Sequence, residues 1–264
     1  MWWGKIALIG AGVIVLGFAG MFLLGPRPTS TDTDAAGLPQ FIQADFIELD
    51  RIASISKFRS GSGHDFSSGD ESCRSMKHYF NPPPSQADQA YRDTHEGLPP
   101  PPDGANDIVI SSPVDGTVLN VEEEGSQFGR QIYIRPSEAD EFTIRLFHIY
   151  PDEGLKKGSK VTAGQRIGVI GGGQTTDVAI MHGGFLGPQF VSYFSVISDS
   201  VFAAYQARGI TSRDDLIVTK EYRDAHPYQC NGEQFAEQYQ SDPDYTDEVY
   251  LSGFSRKAFG QTSH

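Results

Sequence analysis

Short runs of β-branched and aromatic residues dominate the middle of the chain, from Ile108 to Ile170. Clusters of Gly, Pro, Asp and Ser separate these runs, which is the pattern of successive strands joined by tight turns. The predicted strand segments are 108–110, 117–119, 131–134, 142–147 and 166–170, with one more at 176–180 after a glycine turn. No helix of useful length fits between Ile108 and Ile170. The pattern therefore predicts a mainly β, antiparallel domain.

The N-terminus follows a different pattern. Residues Ile6 to Leu24 form an uninterrupted run of 19 apolar or glycine residues, and a run of about 18 or more can span a bilayer as a helix. We predict a signal-anchor over residues 1–26, followed by a flexible polar linker over 27–40. A cleaved signal peptide is the alternative, because residues 17–19 match a small-x-small cleavage site. One basic residue on each flank, Lys5 and Arg27, leaves the orientation of a signal-anchor undecided by the positive-inside rule. We place the rest of the chain on the extracytoplasmic side, which suits a disulfide between the two cysteines.

The remaining chain is divided by composition. We predict a β-domain over residues 41–183, which contains a proline-rich insertion of polyproline character over 82–104. A small α/β extension follows over 184–264. Within this extension, Ser198 to Gly209 reads as an N-cap, a short helix and a C′ glycine.

The net charge narrows the possible binding partners, and the two cysteines predict a disulfide. The chain has 21 Lys and Arg against 34 Asp and Glu, a net charge of −13. Such an acidic chain argues against a nucleic-acid partner, because phosphate binding needs a clustered basic face. The two cysteines, Cys73 and Cys230, are expected to form a disulfide in an exported protein. That bond would tie the C-terminal extension to the first third of the domain.

Three motifs in order carry a resemblance to a known family. They are Pro113-Val114-Asp115-Gly116-Thr117-Val118, then Phe147-His148-Ile149, then the stretch GSKVTAGQRIG at 158–168. With these motifs the chain resembles the lysostaphin-type zinc endopeptidase family, over roughly residues 54–180. The resemblance implies the duplicated hybrid motif fold, a β-sandwich or barrel-sandwich hybrid. It also implies action on the peptides of bacterial peptidoglycan.

The same resemblance implies a zinc site. The family uses a His and an Asp four residues apart, plus the second His of a late His-x-His, and leaves a fourth position on the metal for water. Asp65 matches the family's Asp, but Gly61 stands in place of the first His. Thr175 and Asp177 replace both late histidines, and His148 matches the catalytic His.

Two repairs of this ligand set are open. In one, His64 replaces the missing first ligand and binds zinc with Asp65 and Asp177. In the other, His64, Asp70 and His78 form a separate local site, with His182 as a spare ligand. If neither repair holds, the site is degenerate and the domain is a non-catalytic wall-binding or regulatory module. The resemblance therefore implies a metallopeptidase-like, membrane-anchored protein directed at peptidoglycan, with zinc as its cofactor if it is an enzyme.

A run of cationic and aromatic residues precedes the proline-rich insertion. Arg74 and His78 lie in it, together with Lys77, Tyr79 and Phe80. Such a cluster can hold an acidic glycan or a peptide carboxylate, and we predict substrate-binding roles for Arg74 and His78. A solvated loop pinned by Cys73 is the alternative interpretation.

Two other classes share parts of the motif pattern. A biotinyl or lipoyl carrier domain has similar turns, but it needs a modifiable Lys between its two halves. Lys156 and Lys157 lie in the wrong turn for that role. A sugar-phosphotransferase domain would use His148 as its phosphorylated residue, but it works in the cytoplasm, which the predicted signal-anchor disfavours.

Overall fold

The computed structural model describes residues 37–124, 128–183, 187–236 and 247–255. The predicted signal-anchor and most of the predicted linker lie outside these ranges. Across the described residues, no helix is long and apolar enough to cross a membrane.

Strands account for most of the described regular structure, with a few short helices. The strands are β1 Ser54–Ser56, β2 His78–Asn81, β3 Ile108–Ser111, β4 Gly116–Glu123, β5 Arg130–Pro136, β6 Phe142–Pro151, β7 Lys160–Val161, β8 Arg166–Ile170, β9 Thr176–His182, β10 Gln189–Val191, β11 Cys230–Asn231, β12 Gln234–Phe235 and β13 Glu248–Tyr250. The helices are α1 Gln86–Thr94, α2 Tyr193–Val196, α3 Asp199–Ala207 and α4 Lys220–Ala225, with 3-10 turns at Leu49–Arg51 and Arg213–Leu216.

The main sheet has the order β13-β1-β2-β9-β6-β5-β4-β7, and every neighbouring pair in it is antiparallel. Strand β10 pairs with β9, and β3 pairs with β8. The first half of β6 pairs with β5 and β9, whereas Tyr150 and Pro151 at its end pair with β8. Strand β6 therefore connects two parts of the sheet and bends between them. The predicted mainly β, antiparallel architecture is confirmed.

Alternation along the strands builds an apolar cluster on each face of the main sheet. On β9, Val178 and Ile180 belong to the large core, while Ala179 between them belongs to a smaller cluster. Successive side chains of a strand point to opposite faces, so the two clusters lie on opposite sides of the sheet. The smaller cluster consists of Phe58, Met76, Phe147, Ala179 and Phe190. Phe58 and Met76, from the segment between β1 and β2, cover this second face of the sheet.

Each predicted strand segment from 108 to 180 falls on an observed strand. The predicted helix is α3: the Ser198 side chain caps its N-terminus, and Gly209 after its end has a φ of +95°. The proline-rich insertion differs from its predicted polyproline character, because it contains α1. Ser85 directly follows the first proline run. Its hydroxyl accepts a hydrogen bond from the Asp88 amide, and this N-cap starts the helix.

The C-terminal part of the described chain is fastened to the domain in two ways. Strand β13 pairs with β1 at the edge of the main sheet. The predicted Cys73–Cys230 disulfide is present, with a Cα–Cα distance of 5.6 Å across a sequence separation of 157. The segment between β1 and β2 is therefore linked covalently to the hairpin of β11 and β12.

Candidate functional site

His148 lies at the bend of β6. The register between β5 and β6 shifts there, because Ile132 opposes Leu146 while Arg130 opposes Ile149, which leaves one extra residue on β6. Such a β-bulge redirects a side chain out of the strand's alternation. His148 also has a φ of +62°, a left-handed conformation that is uncommon for residues other than glycine.

Polar contacts hold this bend in place. The His148 amide donates to Glu124 Oε2 at 2.7 Å, and its carbonyl accepts from Gln174 Nε2 at 3.0 Å. Gly129 faces the bend so closely that a Cβ there would lie 2.6 Å from the Ile149 carbonyl oxygen. The bend is therefore specified by residues on both sides of it, and it leaves the imidazole of His148 partly exposed.

The imidazole lies between two carboxylates. Its Nε2 is 3.1 Å from Asp177 Oδ1 and its Nδ1 is 3.1 Å from Glu124 Oε2. Burial alone would lower the pKa of His148, but the hydrogen bonds and charges of Asp177 and Glu124 raise it to about 9. At neutral pH, His148 is therefore an imidazolium that forms ion pairs with both carboxylates.

Asp177 is fully buried on β9 and has a second cationic partner. Lys77 Nζ lies 2.5 Å from Asp177 Oδ2, and Lys77 itself is only 2% exposed. Burial raises the pKa of Asp177, but the charges of Lys77 and His148 outweigh this and lower it to about 2. Burial likewise lowers the pKa of Lys77, and Asp177 more than reverses the effect. We call Lys77, Asp177, His148 and Glu124 the charged centre.

The charged centre contains two of the residues predicted from sequence, His148 and Asp177. A third, His64, lies at its edge, with Nε2 3.4 Å from Lys77 Nζ. The side chain of Asp65 is engaged elsewhere: its Oδ1 accepts from Ser67 Oγ at 2.7 Å and from the Arg74 amide at 3.1 Å. The structure therefore brings His148, Asp177 and His64 together, while the Asp65 carboxylate closes a local turn.

The predicted substrate-binding residues Arg74 and His78 are buried, which disagrees with a solvated or ligand-facing cluster. Arg74 pairs with Glu71 and Asp224, each at 2.8 Å. His78 contacts the Ser56 carbonyl at 2.9 Å and Ser192 Oγ at 2.8 Å. Burial lowers the pKa of His78 to about 4, so it is neutral at pH 7. Arg74 therefore ties the segment between β1 and β2 to α4, and His78 ties β2 to β1 and to Ser192 at the start of α2.

The separate local zinc set is not assembled. Asp70 is largely exposed and lies 3.6 Å from Lys220 Nζ, whereas His78 is enclosed beneath β10 and α2. The spare ligand His182 stacks on Phe142, with ring centroids 4.5 Å apart. Among the residues that the structure describes, no group of three or more His, Cys, Asp or Glu side chains could hold a metal ion.

The position of the family's first ligand is also closed. A Cβ added to Gly61 would lie 2.8 Å from Tyr228 Cζ and 3.2 Å from Asp247 Oδ2. The Gly61 amide donates to the same Asp247 oxygen at 3.0 Å. At the late motif, Thr175 Oγ1 donates to Asn81 instead of facing the charged centre. The residues present therefore do not fit the zinc site that the resemblance implies.

Two members of the charged centre, Lys77 and Glu124, were not predicted. Lys77 was grouped with the surface cationic cluster, and Glu124 ends a run of three glutamates that resembles a solvated acidic turn. The alternation of side-chain direction along β2 and the residue before it is the signal that could have placed Lys77 on the same face of the sheet as Tyr79. Lys77 and Tyr79 are two residues apart, and Tyr79 pairs with Asp177 in the sheet register. No local feature separates Glu124 from Glu122 and Glu123.

Comparison with known proteins gives coarse similarities. No family profile matches the chain, and no curated protein matches it. Similar solved structures include Helicobacter pylori Csd3, at 18% identity and a TM-score of 0.38, with 64% of this chain and 39% of that chain covered. The SpoIIQ–SpoIIIAH pore-forming complex matches at 13% identity and a TM-score of 0.40, covering 66% of this chain and 100% of that one.

A third similar structure is the catalytic domain of the prophage-encoded M23 protein EnpA from Enterococcus faecalis. It matches at 19% identity and a TM-score of 0.34, with 57% of this chain and 94% of that chain covered. The solved structures that resemble this chain thus include lysostaphin-type peptidase domains. At these values, no functional assignment rests on them.

Proposed function

We propose that the protein is a membrane-anchored, extracytoplasmic module of the duplicated hybrid motif fold that binds peptidoglycan peptides without hydrolysing them. One observation carries the proposal: both oxygens of the fully buried Asp177 are occupied by cationic side chains, Lys77 and His148. The Asp177 carboxylate, which lies at a metal-ligand position of the family motif, is therefore not free to bind a metal ion. The predicted zinc-dependent hydrolysis is not part of the proposal.

The spatial arrangement of the three sequence motifs supports the proposal that the protein binds peptidoglycan peptides. Gly116 and Thr117 of the first motif pair with Val161 and Lys160 of the third motif. The second motif forms the bend of β6 at His148, two strands away in the same sheet. The motifs that carry the lysostaphin resemblance therefore share one region of the fold.

The chemistry of the site supports the absence of hydrolysis. Peptide cleavage by a metallopeptidase needs a metal with an open position, where bound water is activated and the scissile carbonyl is polarised. Gly61 cannot supply a ligand, and the space beside it is filled by Tyr228. The pKa of His148 is raised to about 9, so at neutral pH its ring carries both protons and has no free lone pair with which to act as a general base.

The accessible edge of the charged centre offers a binding surface. Phe128 is 38% exposed, and its ring centroid lies 6.1 Å from that of His148. An exposed aromatic ring suits a short peptide, because its face contacts aliphatic side chains and peptide groups. We assign this edge as the peptide contact.

Co-sedimentation of the full-length chain in detergent micelles with purified peptidoglycan sacculi tests the proposal, with chromatography of released muropeptides as the second readout. We expect the protein to sediment with the sacculi and to release no muropeptides. Phe128→Ala should weaken sedimentation, whereas Phe254→Ala, which truncates a partly exposed phenylalanine after β13, should not. Release of muropeptides by the wild-type chain contradicts the non-hydrolytic assignment, and a failure to sediment contradicts the wall-binding assignment.

A further inference from the structure

The ammonium group of Lys77 lies in an enclosure built for a cation. Besides the Asp177 carboxylate, three aromatic rings face it. Nζ lies 4.4 Å from the ring centroid of Phe147, 4.8 Å from that of Phe66 and 4.9 Å from that of Tyr79. A cation within about 6 Å of an aromatic face is attracted by the ring quadrupole, most strongly where water is excluded. A carboxylate and several rings around one nitrogen form a cation cage.

The tautomer of His64 completes the cage. Its Nδ1 lies 2.8 Å from the Asp65 carbonyl oxygen, which can only accept, so Nδ1 must carry the hydrogen. In a neutral ring, Nε2 is then an acceptor, and it points at Lys77 Nζ from 3.4 Å. Metal-binding histidines are oriented in the same way, by donating the other ring hydrogen to a backbone carbonyl.

Charge balance explains why the cage must be filled. Asp177 is fully buried, and a buried carboxylate with too few cationic partners is costly. Glu124 adds a second negative charge near His148, and its side chain is 10% exposed. Lys77 and His148 supply two positive charges against these two carboxylates. Without Lys77, the cluster carries an uncompensated negative charge in apolar surroundings.

We propose that the Lys77 ammonium is the resident cation of the charged centre and takes the place of the metal ion that the sequence resemblance implies. Its cage is then an alkylammonium site, which accepts a small primary alkylammonium ion when the lysine side chain is removed. This inference rests on the proposed function in one respect: the wild-type site holds no metal.

The donor set favours an alkylammonium ion over a divalent metal. Among the described residues, Asp177, His64 and the Tyr79 hydroxyl approach Nζ with an oxygen or nitrogen atom. Aspartate and histidine are the usual zinc ligands of these three, whereas structural and catalytic zinc sites use at least three protein ligands. His148 could join only by losing its proton and its contact with Asp177. Aromatic faces bind organic cations well and are not zinc ligands.

Chemical rescue of Lys77→Ala tests the inference on the full-length chain in detergent. The probe is n-propylammonium, which replaces the atoms from Cγ to Nζ that the substitution removes. Urea unfolding is followed with propylammonium chloride, sodium chloride or tetramethylammonium chloride at equal ionic strength, and separately with zinc chloride. We expect K77A to unfold at lower urea than wild type. Propylammonium should restore its midpoint saturably and at concentrations at least about tenfold lower than sodium.

Wild type and Lys157→Ala, which removes an exposed lysine in the turn before β7, should show no response to propylammonium. If sodium restores K77A as well as propylammonium does, charge screening explains the effect and the cage is refuted. A K77A midpoint equal to that of wild type also refutes it. If zinc stabilises the wild-type chain, the proposal that the Lys77 ammonium takes the place of the metal ion is refuted.

A double substitution covers the case in which K77A does not fold. Lys77→Met combined with Asp177→Asn removes both charges and should unfold at higher urea than Lys77→Met alone, without a response to propylammonium. Equal urea midpoints for the single and double variants would contradict the charge pairing of Lys77 with Asp177. Muropeptide release and sedimentation report on the proposed function separately, so either can fail without affecting the rescue result.

Discussion

Among the described residues, Asp177 is fully buried and the carboxylate of the half-buried Asp45 is also enclosed. The two groups differ in their partners. Asp177 faces the Lys77 ammonium and the His148 imidazolium, and its pKa is lowered to about 2. Asp45 instead accepts from two tyrosine hydroxyls, Tyr205 at 2.8 Å and Tyr193 at 3.4 Å. Burial raises the pKa of Asp45 to about 6, and these hydrogen bonds offset only part of the increase.

Burial raises the pKa of both groups, and the formal charge of the partners decides whether that increase is reversed. Hydroxyl donors satisfy hydrogen-bonding capacity, whereas only cations compensate a full negative charge in a low-dielectric interior. The Asp45 cluster connects the N-terminal segment to α2 and α3 and serves the core. The Asp177 cluster fixes charge beside the partly exposed bend of β6.

The largest expected contrast comes from the same isosteric change at both positions. Asp177→Asn leaves the buried Lys77 ammonium without its counterion and should lower the free energy of unfolding by about 3–5 kcal/mol at pH 7. Asp45→Asn removes a buried charge that has no cationic partner, so it should not lower the free energy of unfolding at pH 7 and should raise it by up to about 2–3 kcal/mol. Urea denaturation of the two variants beside wild type measures both values. Equal losses would show that partner charge is not the deciding difference.

The second contrast is the pH dependence contributed by Asp45. Its pKa in the folded protein, about 6, lies above the reference value of 3.8. Its stabilising contribution is therefore present below about pH 4 and lost as the pH rises through 6. Wild type should lose about 2–3 kcal/mol relative to Asp45→Asn between pH 4 and pH 6.5. Subtracting the Asp45→Asn curve removes the opposite trend of His78, whose folded pKa is about 4.

His148 should give the smallest of these effects. Its folded pKa of about 9 lies above the reference value of 6.5, so its contribution is present below pH 6.5 and lost as the pH rises towards 9. Because the side chain is 28% exposed, we expect solvent to reduce the contribution to about 1–2 kcal/mol. His148→Gln should flatten the stability curve between pH 6.5 and 9. A decline of unchanged size in that variant would assign the titration to another group.

The strand pattern could be predicted from sequence because alternation and turn residues are local properties. Each predicted segment from Ile108 onward appears as a strand, and the cap and C′ glycine of α3 were readable from Ser198 and Gly209. The proline-rich insertion was less predictable. Its prolines indicate extended chain, but the Ser85 cap starts a helix directly after them.

The charged centre was only half predictable because it depends on register between distant strands. The bend at His148 arises from one extra residue on β6 relative to β5 and from the contact with Glu124, which no local pattern encodes. Lys77 meets Asp177 only because β2 pairs with β9. The missing histidines at Gly61, Thr175 and Asp177 were visible in the sequence, but the cation that stands in for the metal was not.

Equilibrium dialysis of the full-length wild-type chain against zinc, beside Asp177→Asn and Lys77→Ala, tests most directly whether the charged centre is complete without a metal. The account predicts no specifically bound zinc in wild type, and no change in its urea midpoint on addition of a chelator. Equimolar zinc in wild type that is lost in Asp177→Asn would contradict it.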